Sequence, residues 1–367
     1  MRQLWKFIFL VLIAPQSHAA MGLDPIPREL LKDDGGVLAV TNMPPTRSQD
    51  TFGICYSFVA STLLNEAYCV KNSISDCANV GDDKRFSALD VARYSSKLPE
   101  GMSDEDRESF VGLNEGGSAA LSLQRSLGKF SVKESCAPFN QVVANVKDPV
   151  EAQNLEISMW KTFKDSYDTF IKKSKECASC GLEYATAKSQ ELKDKFNLKA
   201  SNKDILEAFS QESYGIFLDR LLVPDACLDM KNMLLMSDSW NLKQFPTESK
   251  SNYASTISKI KEVLSKKRPI AFSFCAQEKV TVKSLKACGD LKNKDGSRAG
   301  EGHGVVIKGY RKVCRSAGDC YEALQVQNSW GEGWQNANSD GWVDAKVLLD
   351  RSFYELGALT WLEQAQN

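Results

Sequence analysis

Histidine is nearly missing from this chain: among 367 residues there are two, His18 and His303. His18 falls in a stretch expected to be removed, so chemistry that needs an imidazole must use His303. Net charge is nearly missing as well. The formal balance is -1, and without residues 1–19 it is 44 basic against 47 acidic side chains, which argues against nucleic acid or an anionic membrane surface as the main partner. No apolar run is long enough to span a bilayer. The longest, Phe7 to Ala14, is roughly 8 residues where about 20 are needed. That run follows Arg2 and Lys6 and precedes Ser17-His18-Ala19, the layout of an export signal with a small-residue cleavage site over 1–19. A retained anchor is the alternative; the signal reading predicts a secreted or periplasmic protein with no membrane association after cleavage. Low-complexity runs and internal repeats are absent from residues 141–250.

Cysteine, by contrast, is plentiful, at eleven residues. Exported chains meet an oxidising compartment in which cysteines pair, and an odd number leaves at least one over unless two chains are linked. Cys55 is the natural remainder, because a nucleophile must be a thiolate. The short separations Cys69/Cys77, Cys275/Cys288 and Cys314/Cys320 make these pairs the expected local bridges, although spacing does not fix connectivity. Cys177-Ala178-Ser179-Cys180 is a poor zinc site, with no histidine near it and no matching second pair. Read as a redox motif it follows a charged helix rather than opening one after a strand, so a structural bridge is the better expectation.

With 43% hydrophobic residues the chain can bury a full core, in two or three lobes. Phe52 to Tyr68 reads as a helix with Cys55 in its first turn, and a second helix is expected near Phe86 to Tyr94. Gly116 and Gly117 precede a helix through Ala119, Ala120, Leu123 and Leu127 that stops at Gly128. Leu155, Met159, Phe163, Tyr167 and Ile171 recur every four residues among charges, an amphipathic helix. Ser201 to Asp204 reads as the cap of one further helix running through Leu222 to Pro224. After a helix over Ile257 to Leu264 come short strands: Pro269 to Cys275, His303 to Tyr310, Tyr321 to Gln327 and Gly341 to Ala345. Helices first and strands last predict an α+β chain: an N-terminal segment and helical lobe over 20–140, a helical insertion over 141–250 and a β-rich lobe over 251–367.

Three runs carry chemistry. They are Gln49-Asp50-Thr51-Phe52-Gly53-Ile54-Cys55-Tyr56, Gly302-His303-Gly304 and Gln327-Asn328-Ser329-Trp330-Gly331. A Gln, a Cys opening an apolar helix, a His and an Asn, in that order, form the constellation of a thiol acyl-transfer enzyme. With Gly341-Trp342, Phe86-Ser87-Ala88-Leu89-Asp90-Val91 and Asn114-Glu115-Gly116-Gly117, the set resembles the papain-like cysteine peptidases over roughly 40–140 and 255–362. The resemblance implies a two-lobe fold, one lobe helical and the other β-barrel-like, and leaves the large helical insertion unexplained. It implies a Cys55 nucleophile, a His303 acid–base, an Asn328 that orients the ring, and a Gln49 amide that joins the Cys55 N–H as oxyanion donor. Gly53, Gly116, Gly117, Gly304 and Trp330 would contact substrate, with Trp330 covering the Asn–His contact. The expected partners are protein or peptide substrates, with no cofactor or metal and with room for a protein partner at 141–250.

Departures from the family pattern accompany this. Phe52 and Asn114 stand where the family bridges two cysteines, Tyr56 where Trp is usual, and Gly302 where Asp or Asn precedes the histidine, a change that bears on the pH profile. Cys55 and His303 lie 248 positions apart, against about 130–150 expected, so roughly a hundred residues are inserted. Only about 35 residues separate the expected mature start from Cys55, too few for the long inhibitory propeptide of many relatives. The insertion then either restrains access to the cleft or stabilises the fold away from it. A papain-fold binding protein without catalysis is the alternative function, and the intact Gln49, Cys55, His303 and Asn328 count against it.

Overall fold

Helix α1 (Cys55–Lys71) organises the molecule, because it is enclosed on every side: each residue from Cys55 to Ala67 is buried. An amphipathic helix would leave its polar residues in water; here they find partners inside. Ser57 donates to the carbonyl of Ala88, Thr62 to that of Phe58 at 2.7 Å, and Asn65 accepts the N–H of Phe86 at 2.8 Å. Glu66 pairs with Arg268, whose Nε also donates to the carbonyl of Leu362 at 3.0 Å. In this computed structural model the described residues are 23–32, 36–49, 51–96, 98, 103, 110–141, 146, 148–277, 280–290, 301–316 and 318–365. The expected signal segment, 1–19, lies outside them.

On one side of α1 stand α2 (Ala88–Arg93) and α3 (Ala119–Ser126), N-capped by Ser87 and Ser118. On the other side is an antiparallel sheet. Its strands are β1 (Leu38–Ala39), β4 (Trp240–Phe245), β5 (Ile270–Ala276), β6 (Glu301–Ser316), β7 (Asp319–Gln327), β8 (Trp342–Asp344) and β9 (Leu359–Gln364). They run in the order β4-β9-β5-β6-β7-β8, and β1 adds at β6. A separate pair, β2 (Phe130–Val132) and β3 (Met233–Leu235), ties the helical lobe to the later part of the 141–250 stretch. The chain is α+β, as the order of helices and strands led us to expect, with helices on one side of α1 and the antiparallel sheet on the other. Between β5 and β6 the register pairs Phe274 with His303 and Cys275 with Gly302, which sets the neighbours of the histidine across the sheet.

The inserted stretch contains α4 (Pro149–Glu176), α5 (Ala178–Phe196), α6 (Asn202–Phe209) and α7 (Tyr214–Leu222). Two expectations change here. The helix expected from Ser201 to Leu222 is two: Ser201 caps α6 in a reciprocal capping box, the chain breaks after Phe209, and Ser213 caps α7. Cys177 does open a helix, since it is the N-cap of α5 and its Sγ accepts the N–H of Cys180 at 3.0 Å. Periodicity alone could not place a one-residue link between two charged helices. The stretch is also not wholly helical, because β4, inside 141–250, pairs with β9 at one end of the main sheet. The remaining helices are α8 (Tyr253–Ser265), α9 (Leu285–Asp290), α10 (Gly331–Ala337) and α11 (Ala345–Asp350).

The insertion and the helical lobe share one hydrophobic core. Phe52, Ile54, Tyr56 and Phe58, all close to Cys55 in sequence, belong to the same buried cluster as Met159, Phe163, Phe209 and Phe217. A buried ion pair crosses the same boundary: Arg93 of α2 holds Asp219 of α7 through two hydrogen bonds of 2.8 Å each. Asp219→Ala would take the bidentate partner from Arg93, which is 4% exposed, and leave it only the looser contact with Asp90 at 3.5 Å. The expected loss is about 3–5 kcal/mol, read as a fall in the urea midpoint; an unchanged midpoint would show that the pair holds nothing together.

Five disulfides form: Cys69–Cys77, Cys136–Cys227, Cys177–Cys180, Cys275–Cys288 and Cys314–Cys320. The three local pairs are those expected from spacing, and Cys55 is the cysteine left outside the bridges. Cys136–Cys227 closes 91 residues around the insertion, a loop length for which chain entropy gives about 4–5 kcal/mol of stabilisation. No helix among the described residues is long and apolar enough to cross a membrane.

Candidate active site

Cys55 is the first residue of α1, and the preceding Ile54 (φ -110°, ψ 34°) offers no side-chain cap. The partial positive charge of the helix start therefore falls on the thiol itself, an arrangement that favours thiolate. Strand β6 brings His303 to the same place. Cys55 Sγ lies 3.9 Å from the carbonyl oxygen of Gly302, and the space at Gly304 faces the Cys55 carbonyl, so both neighbours of His303 lie against Cys55. At the next residue of α1, burial pushes the Tyr56 hydroxyl above the ordinary tyrosine range; the hydrogen bond with Ser96 opposes this, and the adjacent Cys55 charge adds to it.

His303 is held from three directions. Its Nε2 is 2.9 Å from Asn328 Oδ1. Because a carbonyl oxygen only accepts, Nε2 carries the proton. Trp330 stacks on the ring at 4.7 Å between centroids and 16° between planes, and Phe274, its cross-strand partner, meets it edge-on at 5.6 Å. Trp334 supports Trp330 edge-on at 5.5 Å. The His303–Asn328 contact is thus walled by apolar rings, with the two residues 5% and 2% exposed. Water has little competing access to that hydrogen bond, which strengthens it.

Gln49 is fixed as firmly, by a strap between the lobes. Arg47 is anchored to the helical lobe through Glu134 at 3.1 Å and Ser61 at 2.5 Å. Its carbonyl accepts the N–H of Gly331 at 3.2 Å, and the Gln49 N–H donates to the Ser329 carbonyl at 2.8 Å. The Gln49 amide is oriented at both atoms: Oε1 accepts the Ser329 hydroxyl at 2.5 Å, and Nε2 donates to the Phe52 carbonyl at 3.3 Å. Nε2 has two hydrogens, so one such bond aims the group without exhausting it. Burial pushes the Glu134 carboxyl up, opposed first by the Arg47 guanidinium and then by the N–H groups of Phe139 and Ala88.

Gly53 lies against the Glu115–Gly117 bend. The Gly116 N–H donates to the Gly53 carbonyl at 2.8 Å, and the Gly53 N–H donates to Glu115 Oε1 at 3.3 Å. Gly116 needs its freedom, with φ +80°. A Cβ at Gly117 would fall 2.5 Å from both the Ser95 carbonyl oxygen and the Tyr56 ring. Gly304 stands apart from these. A Cβ there would meet Val59 of α1 at 3.3 Å, so its smallness lets sheet and helix approach.

Several residues of the site gave no signal of their role in the sequence. Ser329 was visible only as part of its run, yet it sets the Gln49 amide. Arg47 and Glu134 carried no signal, because their pairing joins positions 87 apart in the chain. A cavity of about 610 Å³ adjoins the strap, lined by Arg47, Ser48, Gly331 and Glu332 and, from α4, by Ala152 and Glu156. The insertion therefore forms a wall beside the strap that carries Gln49.

No protein-family model matches the chain, and no curated protein matches it. Among solved structures it is similar to SERA5E from Plasmodium falciparum, at 16% identity over 92% of this chain and 95% of that one, with a TM-score of 0.39. It is similar to xylellain, a cysteine protease from Xylella fastidiosa, at 12% identity over 93% and 90% respectively, TM-score 0.43. A third is the digestive procathepsin L 3 of Tenebrio molitor larval midgut, at 12% identity over 95% and 78%, TM-score 0.38. At such scores and identities these likenesses add nothing to what the site's own geometry carries.

Proposed function

We propose that this chain is an exported cysteine peptidase that hydrolyses peptide bonds through a thioacyl-enzyme formed on Cys55. The observation that carries the reading is the hydrogen bond between His303 Nε2 and Asn328 Oδ1, at 2.9 Å, behind rings that keep it dry. It commits Nε2 and its proton to Asn328, leaving Nδ1 as the ring atom that exchanges a proton with the thiol. A free thiol has a pKa of about 8.5, and a helix start together with an imidazolium lowers it by several units. The thiolate attacks the scissile carbonyl carbon, and the carbonyl oxygen becomes an oxyanion. Gln49 Nε2 and the Cys55 N–H are the donors for that oxygen; each such donor is worth about 2.7–4 kcal/mol in comparable sites. As the C–N bond breaks, His303 gives its Nδ1 proton to the leaving amine. It then takes a proton from the water that attacks the thioester, and the released thiolate restores the starting ion pair. Export is part of the same reading: five disulfides fit an oxidising compartment.

The experiment is labelling with an epoxysuccinyl peptide, followed by peptide mapping. Stoichiometric modification at Cys55, with loss of peptide hydrolysis in step, is the expected result. A chain that takes no label and cleaves no peptide is instead the binding protein.

The division of labour gives a second expectation. His303→Ala removes the acid–base group and is expected to cost more in kcat than Asn328→Ala, which removes only the group that orients it. Equal losses would mean that Asn328 does more than hold the ring.

A further inference from the structure

We propose that Trp160, in helix α4 of the inserted stretch, is a positioning residue for the oxyanion donor Gln49; this rests on the peptidase reading above. The contact runs through Phe52, one of the two positions at which the chain departs from a bridged cysteine. The Phe52 ring stacks on Trp160 at 4.3 Å between centroids and 13° between planes. The Phe52 carbonyl is the acceptor that aims Gln49 Nε2, at 3.3 Å, and it also accepts the N–H of Ile54 at 2.8 Å. Phe52 N–H in turn donates to the Gln49 carbonyl at 3.3 Å. Phe52, between Gln49 and Cys55, is therefore pinned by one aromatic stack, with an oxyanion donor on either side of it in the chain.

Trp160 is itself held in place. Phe163 meets it edge-on at 6.1 Å, Phe139 lies against it at 5.9 Å, and Phe139 in turn meets Phe58 of α1 edge-on at 5.0 Å. Its neighbour on α4, Met159, is 1% exposed within the shared core. The indole Nε1 is buried with no hydrogen-bond partner among the described residues. The same holds for Trp240 and Trp334; what Trp160 offers the loop is a large flat face for Phe52 to lie on. A disulfide at this position would fix the loop through covalent geometry. Here the loop's position depends on a helix of the inserted stretch that packs into the core of the helical lobe, so α4 holds the reaction centre through the Phe52 ring.

The test compares Trp160→Ala, Trp160→Phe and Phe52→Leu with Leu192→Ala, a truncation in α5 that belongs to the same buried core. Three readouts are needed: kcat and KM on a fluorogenic peptide amide, affinity for a peptide aldehyde, and the rate of Cys55 alkylation by iodoacetamide. The aldehyde forms a hemithioacetal whose oxygen uses the oxyanion donors, whereas alkylation forms no oxyanion. Trp160→Ala is expected to lower kcat roughly 10- to 100-fold, with KM within about twofold, because a misplaced donor acts on the transition state. Aldehyde affinity falls by the same factor, alkylation stays near the wild-type rate, and Trp160→Phe restores most of the loss. Leu192→Ala keeps kcat per alkylatable site. If Trp160→Ala does not fold, Phe52→Leu carries the comparison from the other side of the stack. The inference is overturned if kcat per alkylatable site is unchanged in the folded Trp160 or Phe52 variant, or if Leu192→Ala lowers kcat and aldehyde affinity as much. A wild-type protein that binds the aldehyde but cleaves no peptide refutes the peptidase reading alone, and the aldehyde ratios still decide the role of Trp160.

Discussion

Replacement of Cys55 by serine is expected to leave a folded protein whose peptide hydrolysis is slower by several orders of magnitude, roughly 10⁴-fold or more in kcat. The size of the effect follows from ionisation. A helix start and an imidazolium bring a thiol to its anion near neutral pH but leave an alcohol protonated, so the attacking species is lost while its partners remain. The fold is expected to survive, because Cys55 is the cysteine outside the five disulfides and its Sγ lies at a long 3.9 Å from the Gly302 carbonyl. Circular dichroism and a thiol count on the denatured, unreduced chain provide the check: the wild type titrates one thiol and Cys55→Ser none. A variant that titrates none yet hydrolyses peptides at the wild-type rate would falsify the assignment of Cys55.

Replacing residues 145–250 with a short Gly/Ser linker is expected to abolish folding rather than release activity. The amphipathic pattern of the stretch left two roles open, restraint of the cleft or stabilisation away from it. The contacts weigh against independence. Phe52, Ile54, Tyr56 and Phe58 would lose the partners of their common core, Met159, Phe163, Phe209 and Phe217. Arg93 would lose Asp219, and the Leu113 N–H would lose the Gly215 carbonyl it meets at 2.8 Å, next to Asn114–Gly117. The trimmed chain would also lose β4 from the sheet and leave Cys136 without Cys227. Removing several large apolar contacts at about 2–5 kcal/mol each exceeds the 5–15 kcal/mol by which domains are stable. The measurement is the yield and urea transition of the trimmed chain. A cooperative transition, with cleavage of large and small substrates at unchanged rates, would dispose of both the shared core and any gating.

The residues of the site were legible in the chain because their chemistry is local. Cys55 at a helix start, His303 in a Gly-flanked strand and Asn328 before Ser329-Trp330 each sit in a run whose pattern declares the element. Their order carries the reaction class proposed above, and the odd cysteine count left one thiol over, a place that the need for a thiolate nucleophile gave to Cys55. Short loops likewise made Cys69–Cys77, Cys275–Cys288 and Cys314–Cys320 readable, since few residues separate the partners. What tertiary structure alone decided are the contacts between segments far apart in the chain. The break between α6 and α7, the helix opened by Cys177 and the place of β4 beside β9 each depend on neighbours that no window of sequence contains. So does the stack of Phe52 on Trp160, between residues 108 positions apart. Hydrophobic periodicity says that a face will be buried but not against what, and the site's second layer is made of such choices.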